Sequence, residues 1–243
     1  MSLKRYLKLS FAVLSSIFLT SCYVSPPPVY QLSPVPDSGI WWSGKQYAAD
    51  STNGISTFVA YQRSDRHHLI FEVEFTNQSE EQVLVSPEDF YYLPLQSAED
   101  TVSQREVHAL NPETELLEID KSLSREHASY ATHTAIDLTV SLLDLVLAIV
   151  SPDDAASYEE RLAWEVNRAD YQQLHQARVS ELKGLREEWE FETLRKTTMN
   201  PGEQIRGRVY FPITKQAQFI ELVLPIGRHP ITLIFKQIKH RAS

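Results

Sequence analysis

The residues best equipped for chemistry are few and scattered along the chain. Cys22 is the only cysteine and ends an apolar run, so its thiol has no partner within the chain and is left for modification. His67 and His68 follow Asp65, but adjacent strand residues face opposite ways, so the two rings do not converge on one ion, and no third ligand sits at a metal-binding spacing. A solvated turn accounts for them. Glu126-His127 and His133 lack the HExxH spacing that brings two histidines to one helical face beside a glutamate. Glu159-Glu160 and Glu187-Glu188 have basic neighbours, as on ordinary solvated helix faces. There is no G-x-S-x-G elbow, no P-loop and no G-x-G-x-x-G, and only 7 glycines serve 243 residues. No catalytic, cofactor or metal site is expected.

Aromatic pairs are the better candidates. In a strand, neighbouring rings point to opposite faces, one into the core and one outward, and outward rings bind sugars or partner proteins. Trp41-Trp42 and Tyr91-Tyr92 are such pairs, and these four residues form the expected ligand or partner surface.

The elements that must position them alternate in type along the chain. Residues 55–61, 68–75, 82–85 and 90–95 are short runs rich in Val, Ile, Phe, Tyr and Thr. Leu69, Phe71, Val73 and Phe75 alternate with Ile70, Glu72 and Glu74, the period of a strand with one buried face. Asn77-Gln78-Ser79-Glu80 supplies the following turn. After the middle of the chain, residues 205–211, 219–224 and 231–238 read as strands again, with Asn200-Pro201-Gly202-Glu203 as a type II turn whose glycine takes the positive φ.

The middle is helical in pattern. Asn111-Pro112 places an N-cap and a first-turn proline ahead of Leu116, Ile119, Leu123, His127 and Tyr130 at helical spacing. Residues 132–150 are largely apolar, with Thr134, Asp137, Ser141 and Asp144 on one narrow arc. The rest of that surface should face the sheets, though its width would also suit helix pairing between protomers or insertion at a bilayer interface. Ser151-Pro152-Asp153-Asp154 reads as the cap of a helix over residues 155–189, with Tyr158, Leu162, Val166, Ala169, Leu174, Leu182, Leu185 and Trp189 buried. The expected fold is therefore α+β: an antiparallel, immunoglobulin-like β-sandwich with a helical insertion of about three helices at about 112–190.

The N-terminus carries the one recognisable motif. Lys4, Arg5 and Lys8 precede an apolar run over residues 9–19, and that run of eleven falls short of the roughly 20 residues a spanning helix needs. Leu19-Thr20-Ser21-Cys22 resembles the bacterial lipobox. That resemblance implies a signal peptide over 1–21, acylation of Cys22 and a mature protein beginning there. Several acyl chains on one cysteine make a durable tether. Tyr23 follows the cysteine where the resembled lipoproteins place aspartate for inner-membrane retention, which favours the outer membrane of a Gram-negative envelope.

Residues 22–38, with five prolines, read as a tether, and 39–243 as a single domain. Loss of the three basic residues of the leader leaves 20 Lys and Arg against 32 Asp and Glu, a net charge near −12 that disfavours nucleic acid. The body resembles bacterial lipoproteins with a small immunoglobulin-like sandwich, a resemblance that brings no activity. The expected function is a membrane-anchored, non-catalytic binding or scaffold module for an envelope protein or glycan. The alternatives are an envelope hydrolase with scattered site residues and a self-associating structural lipoprotein.

Overall fold

The computed structural model describes residues 28–98, 105–150, 158–227 and 229–240. Cys22 with its lipobox, and the expected cap over 151–154, lie outside them. The strands are β1 (Val29–Val35), β2 (Ile40–Trp42), β3 (Lys45–Thr52), β4 (Ile55–Ser64), β5 (His68–Asn77), β6 (Val83–Val85), β7 (Tyr91–Leu95) and β8 (Val107–His108). Two helices follow, α1 (Pro112–Val150) and α2 (Tyr158–Glu187), and a π-helical turn, Glu188–Glu192, closes α2. The chain ends with β9 (Thr197–Met199), β10 (Gln204–Pro212), β11 (Phe219–Leu224) and β12 (Ile231–His240).

Two antiparallel sheets of five strands, in the orders β1-β12-β11-β7-β8 and β10-β5-β4-β3-β2, share one core, and β6 pairs with β9 beside them. The alternation along β5 sets the packing. Phe71 points inward and meets Phe211 of its own sheet and Phe235 of the other, at ring distances of 5.9 and 5.2 Å in edge-to-face geometry. Tyr92 crosses from the first sheet to Phe211 at 5.7 Å. The turn after β5 is knitted by Asn77, whose side chain donates to the Glu81 carbonyl and accepts from Ser79. In the Asn200 turn, the Glu203 N–H donates to the Asn200 carbonyl and Gly202 takes φ +77°.

Three expectations need correction. The 22–38 tether is too long, because Val29–Val35 is a strand paired along its whole length with β12, with Tyr30 and Leu32 buried. Pro34 is tolerated there because β1 is an edge strand, one side of which needs no ladder. Among the described residues the insertion holds two helices rather than three: no glycine or proline interrupts residues 113–150, so α1 is one continuous helix. Residues 136–150 do not face the sheets, and Leu162, Val166, Leu174 and Leu185 of α2 are exposed too.

The hairpin of α1 and α2 touches the body through a small foot. Leu116 and Ile119 of α1 and Trp189 of the π-turn pack on Ile70 and Tyr210, which point outward from β5 and β10. Ile70 breaks the polar outer set of β5 because a helix covers it. Asn111 caps α1 as expected, its side-chain oxygen accepting from the Glu113 and Thr114 N–H groups at 2.9 and 3.2 Å.

Candidate functional site

β2 and β3 form a tight hairpin in which Ser43 and Gly44 both take positive φ, placing β2 at the edge of its sheet. Both of its tryptophans are exposed, against the expectation of one ring turned into the core, because no residue of this three-residue edge strand is buried. Trp42 is 56% exposed, lies 6.2 Å from the Tyr47 ring and carries the Arg206 guanidinium 4.8 Å above its own ring. Arg206 is itself paired with Glu72, which also binds Lys45, so Trp42 is held in a charged network on the outer face. Burial lowers the Lys45 pKa, and the Arg206 and Arg208 charges lower it further. Trp41 is 65% exposed and borders a cleft of about 410 Å³ with Gln31, Tyr61, Arg63 and His240.

The tyrosine pair does not join this surface. Tyr92 is fully buried and belongs to the core. Its hydroxyl donates to the Pro212 carbonyl at 2.7 Å and lies 2.8 Å from the Thr214 hydroxyl, and burial pushes its pKa up. Tyr91 is half-buried, 5.5 Å from the His108 ring. Both sit in the sheet that lacks β2. The four expected residues therefore do not form one surface: Tyr92 is inside the core, Tyr91 lies in the other sheet, and Trp41 and Trp42 stand together on β2.

Asp65 organises the β4–β5 turn. One carboxylate oxygen accepts from the His67 and His68 N–H groups at 2.7 and 2.6 Å, and the other lies 3.1 Å from the His68 ring. Partial burial pushes this carboxyl up, but those hydrogen bonds and the His68 charge outweigh it and hold the pKa below the usual value. Ser64, which lines a cavity of about 370 Å³ together with Asp65 and His67, donates to the Tyr30 carbonyl at 3.3 Å and acts as a strand clip. Among the described residues, no three His, Cys, Asp or Glu side chains are grouped to hold a metal ion.

Sequence reasoning missed how the hairpin uses its rings. Tyr130 stacks on His175 at 4.1 Å and His133 on Tyr171 at 3.8 Å, while Glu126 lies 3.0 Å from the His175 ring. The signal was present as His and Tyr three apart on one helix and four apart on the other. By pattern Glu187-Glu188 is a solvated pair, yet Glu188 accepts from Arg63, Arg208 and the Tyr210 hydroxyl, each at 3.0 Å. Burial and that carboxylate raise the Tyr210 pKa. Glu188 thus ties the hairpin foot to β4 and β10.

No protein family, curated protein or solved structure matches this chain.

Proposed function

We propose that the chain is a lipid-anchored protein of the bacterial envelope, attached through acyl groups on Cys22 to the outer membrane. Its two sheets form an immunoglobulin-like sandwich that serves as a non-catalytic binding or scaffold module for an envelope protein or glycan. The observation that supports this reading best is Trp41, a large ring left 65% exposed on a sheet edge beside an open cleft. An aromatic platform with polar neighbours such as Gln31 and Arg63 suits stacking on a sugar ring or a partner side chain.

Two measurements test the two halves of the proposal. Mass spectrometry of native protein should show Cys22 as an acylated N-terminal residue, and Cys22→Ser should release the protein from membranes. A photo-crosslinker replacing Trp41 should capture a partner or glycan in intact envelopes, while the same group at exposed Leu84 should not. Equal capture at both positions would remove the cleft from consideration.

A further inference from the structure

The hairpin is built inside out for a water-soluble helix pair. Along α1 the residues turned towards α2 are polar: Asp144 pairs with Arg161 at 3.2 Å, Asp137 with Arg168 at 3.8 Å, and Ser141 accepts from Arg168 at 3.2 Å. The opposite face carries Leu142, Leu143, Val146, Ile149 and Val150, each 55–75% exposed, with exposed Leu138 and Leu145 on its flank. An 18-residue window of α1 reaches a mean hydropathy of 1.8 with none of it buried. The hydroxyls of Thr132, Thr134 and Thr139 bond the carbonyl four residues back at 2.8–2.9 Å, so they need no water.

We infer that this face of α1 docks into the interface of a phospholipid bilayer, with α2 lying on its solvent side. At 100° per residue the apolar arc covers about 200°, well beyond the two-per-heptad seam of a helix pair. A second copy seated along Leu138, Leu142, Leu145 and Ile149 would leave Leu143, Val146 and Val150 in water. A lipid surface covers the whole arc.

The position of the chain start favours the same occupant. The Leu194 N–H meets the Arg208 carbonyl and Trp189 stacks on Tyr210, which seats the hairpin foot near the Pro212 end of β10. Pro28 lies at that end, sharing a cavity with Ser64, His67 and Ile213. The six residues from Cys22 to Pro28 reach at most ~20 Å, whereas α1 runs ~40 Å beyond Leu123. An acyl anchor on so short a leash brings the hairpin onto the bilayer; this length argument rests on the lipid anchor proposed above, and the apolar face does not. The depth is also bounded. Residues 136–150 span about 22 Å, less than the ~30 Å hydrocarbon core, and Glu159, Glu160 and Glu165 keep α2 out of it. The helix therefore lies in the interface plane.

The test begins with the signal-free chain from residue 23, which keeps every described element and lacks the acyl anchor. It should float with neutral phosphatidylcholine vesicles with little dependence on salt, and the Leu142→Asp, Leu145→Asp, Ile149→Asp variant should lose more than ~100-fold in partitioning, since three buried leucine-sized side chains are withdrawn. All three positions are exposed, so an unchanged thermal melt shows that the variant folds. In the acylated protein on vesicles, a fluorophore on Leu142→Cys should be quenched by acyl-chain spin labels, and one on Leu174→Cys of α2 should not. A chain that stays with the buffer, or that forms oligomers through α1 while ignoring vesicles, overturns the inference. Flotation with an unmodified native Cys22 would leave the bilayer contact standing and remove the anchor instead.

Discussion

Trp189→Ala should unseat the helical hairpin without loosening the two-sheet body. Trp189 is 5% exposed, stacks on Tyr210 at 4.4 Å and belongs to a cluster with Ile70, Leu116 and Ile119 that is separate from the main core. Ion pairs add to it at the foot, among them Glu113–Arg195 at 2.7 Å and Arg63–Glu188 at 3.0 Å. Their side chains are well hydrated, so each is worth at most about 1 kcal/mol, whereas truncating a buried tryptophan costs about 3–5 kcal/mol. Native-state hydrogen exchange separates the two parts of the molecule. Amides of the first turns of α1 and the last turns of α2 should exchange at least ~100-fold faster, the equivalent of about 3 kcal/mol. Those of β5, β11 and β12 should keep their protection, and Trp189→Phe should recover part of the loss. Equal loss in the strands would mean that the foot and core open as one unit. A loss below about 1 kcal/mol would mean that the ion pairs, and not the apolar foot, hold the hairpin.

Three further perturbations test other joints. A Cβ on Gly207 would sit 2.5 Å from the Leu194 nitrogen and 2.7 Å from its Cα, so Gly207→Ala must push the returning chain off β10 and should cost about 2–4 kcal/mol in urea unfolding, overpacking plus one lost hydrogen bond. Removing residues 1–38 deletes β1 with its buried Tyr30 and Leu32, and should lower stability by more than about 5 kcal/mol or abolish soluble expression, while a chain starting at residue 23 should melt normally. The Asp65 pKa is depressed in the folded state, so its contribution is present above the ordinary aspartate value of about 3.9 and is lost as pH falls through the folded value. Asp65→Asn should therefore flatten the loss of stability below about pH 4, read as urea midpoints across an acid series; an unchanged profile would show that the Asp65 turn is not held by its charge.

How far the sequence could be read depended on whether burial or a partner decided the element. β5 was legible because Leu69, Phe71, Val73 and Phe75 face a core that fills one side of the sheet. β1 was hidden, since Pro34 and the prolines flanking it imitate a tether and only pairing with β12, about 200 residues later, makes it a strand. The one-in, one-out rule holds for Tyr92 and Tyr91 but fails for Trp41 and Trp42, both exposed on an edge strand with no covered face, and nothing local reveals that β2 and β7 belong to different sheets. Glu188 could not be assigned a role, because Arg63 and Arg208 reach it from strands far apart in the chain.

Helical periodicity showed which residues of α1 share a face but not what that face meets. Magnitudes make the outcome informative. The exposed leucines, valines and isoleucines of 136–150 would each gain about 1.5–3 kcal/mol from burial, while the ion pairs of Asp137 and Asp144 are worth about 1 kcal/mol or less. On those terms water alone would turn α1 the other way. It does not, because α2 offers Arg161 and Arg168 to the seam with Glu165 one turn from Arg161, a surface that cannot receive leucines. With acids seven residues apart on α1 meeting arginines seven apart on α2, the pairing fixes the rotation and leaves the apolar face outward. The nearest helix cannot cover that face, so its cover must come from outside the hairpin.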